Sequence, residues 1–345
     1  MLPKQEGVPK QDKDRPAFSL IVPCYREELS LPLLFKEVLP ALERATNGSF
    51  EIILVDDGSP DATYAVIMAQ HQLDLRVKGL QLSRNFGHQP AVACGLAFAQ
   101  GDVIGIIDAD LQDPIEVLLQ LYEAVRNGSC DVCYGVRRRR DAPRMLRFFY
   151  WTFYLLINRF ADHAWPRNAG DFSAFSREVL ECLVALPENA RMNRGLRAWV
   201  GFHQMAIPYD RPTRLAGVSS YNLISLTRLA VSAFIGFSHF PLQLANYLGL
   251  SMAVITMVVG VLLLAKLFVP MEWMGVTNLD PSLTILFLYL SFVASMMFLC
   301  LGILGEYISV LILEVKQRPT AIVRRIVGDL RRLPAADYIQ GCNLP

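Results

Sequence analysis

Two runs of 24 residues, Leu242–Ala265 and Ser282–Gly305, carry no charged side chain. As helices they reach about 36 Å at about 1.5 Å per residue, against about 30 Å of bilayer hydrocarbon. The competing reading is a pair of doubly buried helices in a soluble core. The link near Pro270–Pro281 carries Glu272 and Asp280 but no Arg or Lys, whereas Lys316, Arg318, Arg324 and Arg325 follow the second run. The excess of positive charge predicts both ends in the cytoplasm and a short external link. Glu306 then lies at the inner end of the second span, where its charge need not be buried.

Residues 1–16 are charged, contain proline and are almost free of apolar residues. They read as a disordered tail without the apolar core of a signal peptide, so the next domain is expected to stay cytoplasmic. From residue 17 onward short β-branched runs alternate with helical patterns. Strands are expected at Phe18–Pro23, Phe50–Val55, Leu75–Leu82, Val103–Ile107 and Asp131–Val136. Helices are expected to about Arg44, from Ala62 to about His71, over Gln89–Gln100 and over Ile115–Val125. This alternation predicts an α/β fold with a mostly parallel, Rossmann-like sheet. The expected domains are a catalytic domain over 17–221, an interfacial amphipathic helix over 222–240, two spans within 241–313 and a cytoplasmic C-terminal tail over 314–345.

A net charge of +1 gives no reason to expect a nucleic-acid partner. The seven cysteines are scattered, which suits a reducing compartment. Cys130 and Cys133 form a lone C-x-x-C within an expected strand and read as structural thiols. Neither G-x-G-x-x-G nor G-x-x-x-x-G-K-[ST] occurs, which disfavours dinucleotide and P-loop chemistry.

Polar residues cluster after each strand, where open α/β sheets bind ligands. After Val103–Ile107 come Asp108, Ala109, Asp110, Leu111, Gln112, Asp113 and Pro114. Two carboxylates and an amide oxygen at alternate positions, Asp108, Asp110 and Gln112, make an oxygen-only site suited to Mg²⁺ or Mn²⁺ with waters and a diphosphate. The alternative is a solvated acidic turn. After Phe50–Val55, Asp57 suits an imide N–H or a ribose hydroxyl, or else caps the next helix. His88 reads as a ligand contact or as a satisfied loop histidine. Arg137–Arg140, Arg144 and Arg147 precede the aromatic run Phe148–Ile157, a combination that suits the headgroup layer or an ordinary core helix. Asp171 is expected in a loop.

Membrane spans attached to a nucleotide-diphosphate site suggest a nucleotide-sugar donor and a lipid acceptor. A polyprenyl phosphate is already anionic at neutral pH and needs little activation, so the protein's main task is to align it with the anomeric carbon. Arg144 and Arg147 are the candidates for receiving its phosphate.

Ser19–Glu28, Val55-Asp-Asp57-Gly-Ser, Ser83-Arg-Asn-Phe-Gly87 and Asp108-Ala-Asp110-Leu-Gln112-Asp-Pro resemble the GT-A, family-2 glycosyltransferases. Within these the chain is similar to the polyisoprenyl-phosphate glycosyltransferases, and Gly302–Tyr307 with Arg318-Pro319 is similar to the tail of their bacterial two-span branch. The resemblance runs from about Phe18 to Ile322. It implies that Pro23, Tyr25, Glu27, Val55 and Asp57 hold the donor nucleoside. Asp108, Ala109, Asp110 and Gln112 would hold metal and diphosphate, Arg137 and Arg214 would bind phosphates, and Asp171 would lie near the reacting centre. It further implies a single inverting displacement, favours UDP as the nucleotide and suggests a homotetramer. The chain departs from the family pattern at Arg26, usually asparagine, at Ser220, usually lysine, and in Asn168-Ala-Gly before Asp171. Two rival functions are a processive polysaccharide synthase, whose Q-x-x-R-W motif is absent, and a catalytically silent membrane subunit that binds nucleotide sugar.

Overall fold

The computed structural model describes residues 15–138, 169–188, 191–210 and 281–341, with scattered helical positions between 245 and 258. The chain divides into two compact units. One comprises Met1–Trp151, Trp165–Ser220 and Gln317–Pro345, the other Thr152–Ala164 and Tyr221–Lys316.

The first unit is built on a sheet. β1 (Phe18–Cys24) and β2 (Phe50–Asp56) are buried at every position, as a strand covered on both faces requires. With β3 (Val77–Leu82) and β4 (Val103–Ile106) they form a parallel block in the order β4-β1-β2-β3. Their carboxyl ends therefore share one edge. The sheet is mixed beyond this block, where the sequence favoured a mostly parallel one. β5 (Val132–Arg137) is separated from β4 by β6 (Ala169–Ser176), which runs antiparallel to both. β7 (Gln204–Tyr209) pairs with β5 at the rim, a position that tolerates Pro208 because an edge strand does not need every N–H.

Residues set apart as a C-terminal tail return to this sheet. β8 (Ala321–Val327) runs antiparallel to β3, and β9 (Ile339–Gly341) pairs with β8. Asp171, expected in a loop, lies within β6.

Helices α1 (Leu31–Thr46), α2 (Thr63–Leu73) and α4 (Ile115–Arg126) pack in series on the sheet, while α3 (His88–Leu96) packs with α5 (Arg177–Ala185) and α6 (Asn193–Trp199). The small residues of α3 have a clear purpose. A Cβ on Gly95 would lie 2.4 Å from a methyl of Ile21 and 3.2 Å from one of Val55, so only glycine lets the helix sit this close to β1 and β2.

In the second unit α7 (Pro281–Val315) contains Phe292–Ile312, whose mean hydropathy is 1.9 and none of whose described residues is buried within the protein. Among the described residues it is the one helix long and apolar enough to cross a membrane. A helix apolar all round needs apolar surroundings. The first uncharged run lies largely outside the described residues, as do the expected helices over 148–157 and 222–240.

At the edge of the sheet remote from the strand carboxyl ends, an ion pair between buried Glu51 and half-buried Lys78 joins β1, β2 and β3. The Glu51 carboxylate accepts from Ser19 Oγ at 2.6 Å and from the Gln100 N–H at 2.8 Å, and it pairs with Lys78 Nζ at 2.7 Å. Glu51→Ala leaves that ammonium and both donors without their partner. The expected loss is about 2–3 kcal/mol, below the range for a fully buried pair because Lys78 reaches solvent. Urea unfolding of the solubilised full chain measures it, and a loss below about 1 kcal/mol would contradict this account.

Candidate functional site

The loops at the carboxyl ends of β1, β2, β3 and β4 are tied to one another. The Arg26 N–H donates to Ser59 Oγ at 3.0 Å and the Glu27 N–H to Thr63 Oγ1 at 2.9 Å. The Asp57 N–H donates to the Cys24 carbonyl at 2.9 Å. Asp57 itself is buried, and its two oxygens accept from the N–H groups of Phe86 at 2.7 Å and Gly87 at 2.8 Å. Burial raises its pKa, against the opposing effect of these two donors. Gly58, at φ +65°, is where the β2 loop touches the β3 loop, since a Cβ there would lie 2.4 Å from the Arg84 carbonyl carbon.

Of the residues the resemblance ties to a nucleoside, Tyr25 is exposed and Glu27 half-buried. Pro23 and Val55 are neighbours in the β1–β2 ladder with buried side chains, so contact with a ligand through them would involve the main chain.

The acidic turn follows β4. Asp110 Oδ1 accepts from the Gln112 N–H at 3.2 Å, and the intervening Leu111 sits at φ +57°, an unfavourable conformation for leucine. Gln112 and Ala109 are buried. Asp113 is buried too and accepts from Tyr209 Oη at 2.5 Å, while Tyr209 Oη accepts from Arg137 Nε at 3.4 Å. The acidic turn and the arginine ending β5 are thus joined through one phenol.

His88, at the start of α3, brings distant acids together. Its Nε2 lies 3.2 Å from Asp171 Oδ2 and 3.9 Å from Asp108 Oδ1. Gln89 Nε2 donates to the same Asp171 oxygen at 2.7 Å. Burial would lower the His88 pKa, but the Asp171 hydrogen bond and the charges of Asp108 and Asp171 raise it to about 9. Burial raises Asp108 to about 6, with His88 opposing and Asp113, Asp110 and Asp171 adding to the rise. For Asp171 burial is outweighed by the hydrogen bond and charge of His88 and by Arg194 and Arg197, which hold its carboxyl well below the usual range.

Asp108, Asp110 and Gln112 offer hard oxygen donors, and Asp108 lies in a field of like charge that a divalent cation would relieve. Among the described residues no three of His, Cys, Asp and Glu converge to hold an ion by themselves. This donor set fits Mg²⁺ or Mn²⁺ held by one or two carboxylates together with substrate phosphates and water.

Arg144, Arg147 and Arg214 lie outside the described residues. The sequence reading left His88 as one of two possibilities and did not single out Gln89, Tyr209 or Asp113. The available signal was position: His88 and Gln89 come at the end of the short loop Ser83–Gly87 after β3, on the same edge as Asp57 after β2 and Asp108 after β4.

Arg26 stands at φ +60°, a conformation asparagine adopts far more readily than arginine. Its guanidinium is 5.4 Å from the Tyr25 ring centre, an exposed contact of small worth. Arg26→Asn keeps the main-chain bond to Ser59 and relieves the backbone, for an expected net gain of about 0.5 kcal/mol. Thermal unfolding of the solubilised chain tests this, and a lowered midpoint would argue against it.

Residues 19–184 match Glycosyl transferase family 2. The chain is 36% identical to the bactoprenol glucosyl transferase of Shigella phage SfII, over 89% of its own length and 97% of that protein. It is 35% identical to the uncharacterized glycosyltransferase YkcC of Bacillus subtilis, over 90% and 94% respectively. Among solved structures, glucosyl-3-phosphoglycerate synthase from Mycobacterium tuberculosis with Mn²⁺, UDP-glucose and phosphoglyceric acid aligns with a TM-score of 0.45 and 17% identity, over 64% of this chain and 78% of that one. Identity above one third along nearly the whole length of such relatives establishes that the chain belongs to glycosyl transferase family 2.

Proposed function

We propose that the protein transfers a sugar from a nucleotide diphosphate donor, a UDP-sugar with UDP-glucose the first to test, to a polyprenyl phosphate at the cytoplasmic face of a membrane. The observation that carries this reading is the similarity, over 89% of the chain, to a protein named bactoprenol glucosyl transferase. The membrane-length helix α7 in the same chain suits a lipid acceptor.

In this reading Tyr25, Glu27 and Asp57, with the main chain at Pro23 and Val55, hold the nucleoside. Asp108, Ala109, Asp110 and Gln112 face the diphosphate. A bound Mg²⁺ or Mn²⁺ supplies neutralisation of the charge that develops on the leaving group. Arg137, held by Tyr209, donates to a phosphate oxygen, as does Arg214. An acceptor phosphate oxygen attacks the anomeric carbon opposite the diphosphate, the bond to the diphosphate breaks, and the configuration inverts. No proton needs to leave the acceptor, because its phosphate is already ionised. Asp171 lies at the reacting centre as a carboxylate held by His88 and Gln89. Arg144 and Arg147 receive the lipid phosphate.

Asp110→Asn is expected to abolish transfer and leave the fold intact, because a lost carboxylate weakens a hard-metal site that has few protein ligands. The assay is formation of lipid-extractable product from labelled UDP-glucose and polyprenyl phosphate, with other nucleotide sugars in parallel. Undiminished, metal-dependent transfer by this variant would refute the metal assignment. If no donor in the screen gives a product with the unsubstituted protein, the proposed reaction itself is wrong.

The charge pattern around the two uncharged runs motivates a topological expectation. In intact cells a membrane-impermeant thiol reagent should label a cysteine placed at Val276 and spare one placed at Ser59. The reverse pattern would exclude a cytoplasmic site, and with it a cytoplasmic donor.

A further inference from the structure

The side chain of Gln89 is fixed at both of its polar ends. The Asn193 N–H donates to Gln89 Oε1 at 2.7 Å, and Asn193 Nδ2 donates to the Gln89 carbonyl at 3.0 Å. A main-chain N–H can only donate, so the amide oxygen must face Asn193 and the NH₂ must face the other way. There Nε2 donates to Asp171 Oδ2 at 2.7 Å. His88 Nε2 lies 3.2 Å from the same oxygen. Two consecutive residues of α3 therefore hold one oxygen of Asp171. The other, Oδ1, is buried and has no hydrogen-bond partner among the described residues. With Oδ1 enclosed, the exposure left to the carboxylate is not on that oxygen, and the oxygen that His88 and Gln89 hold sets the direction of the group.

We propose that Gln89 is a positioning residue for the transfer reaction, which through Nε2 aims the Asp171 carboxylate and through Oε1 takes its own orientation from the start of α6. This rests on the assignment of Asp171 to the reacting centre under the proposed function. Gln89 need touch neither donor nor acceptor. Its contribution is geometric, and small displacements of a reacting group carry large kinetic penalties.

Gln89→Glu separates the two arms. It keeps an oxygen for the Asn193 N–H and replaces the donor to Asp171 with a second carboxylate. Gln89→Ala removes both arms. The measurements are kcat and donor KM for the full chain in detergent, UDP affinity by calorimetry, and the thermal midpoint. The expected result for Gln89→Glu is a fall in kcat of roughly tenfold or more, with UDP affinity and donor KM within about twofold of the unsubstituted protein, since Asp171 is not assigned to the nucleotide. If Gln89 merely ties α3 to α6, Gln89→Glu keeps its kcat and only Gln89→Ala loses stability, which would overturn the proposal. A fall in UDP affinity that matches the fall in kcat would overturn it as well.

Should Gln89→Glu fail to fold, a cycle of Gln89→Ala, Asp171→Asn and the double variant decides. Residues acting through one carboxylate give a double variant no slower than Asp171→Asn alone. Multiplicative losses in kcat would reject the link. An unchanged kcat in Asp171→Asn would instead remove Asp171 from the reacting centre, and absence of transfer by the unsubstituted protein would remove the proposed function. Each failure is therefore distinguishable from the others.

Discussion

The carboxylate of Asp57 is the interaction on which the ligand-facing edge of the sheet depends. The loop after β3 has no strand partner for its N–H groups at Phe86 and Gly87, and burying them unpaired would be costly. Asp57 takes both, one on each oxygen, while its own N–H is taken by Cys24. One residue thus fixes the spacing of the loops from β1, β2 and β3. His88 and Gln89 follow Gly87 directly, so the same clamp fixes where α3 begins and from which direction Asp171 is approached. Family resemblance gives Asp57 a role toward the nucleoside. The two roles are compatible, because an ionised carboxylate has about four acceptor positions and the loop uses two.

Charge divides the site into a part that is balanced and a part that is not. Asp171 is compensated by His88, Arg194 and Arg197 and is held ionised. Burial raises the pKa of Asp108 to about 6; it shares the same histidine at a longer distance, which opposes the rise, while Asp113 and Asp110 add to it. One carboxylate is held ionised by nearby positive charge, while the other is buried among like charges that a divalent cation would offset. That difference is consistent with the proposed roles, a metal at Asp108 and Asp110 and the reacting centre at Asp171.

The sequence revealed the parallel block because its strands are β-branched, apolar and followed at once by polar residues. β1 and β2 matched that pattern within a residue. β6 escaped because Ala-Gly-Asp-Phe-Ser-Ala-Phe-Ser has no β-branched residue, and what holds it as a strand is antiparallel pairing to β4 and β5 on either side. β8 escaped for a different reason. Its Arg324 and Arg325 were read as the charged flank of a membrane span, yet Ala321 and Val323 are buried against the sheet. The acidic turn and Asp57 were legible from their positions after strands. The pairing of His88 with Asp171 was not, because 83 residues separate the two and no local pattern announces such a pair. Tyr209 is hidden in the same way, since its partner Asp113 is 96 residues distant.

The return of the chain to the sheet has a topological consequence that does not depend on counting arginines. β7 ends before the insertion that contains α7, and β8 begins after it, yet both strands belong to one hydrogen-bonded sheet. The segment from 321 to 341 is also fastened across the back of α3. The Leu333 N–H donates to the Ala97 carbonyl, Gln100 Nε2 to the Arg331 carbonyl and Tyr338 Oη to the Ala93 carbonyl. Residues on either side of the insertion must therefore lie on the same side of any membrane. A chain that crosses once would leave them on opposite sides, so the number of crossings is even. If α7 crosses, another segment of the insertion crosses back, and the uncharged run Leu242–Ala265 is long enough to do so. Pairing within the sheet thus supports the proposed pair of spans by a route separate from the charge asymmetry.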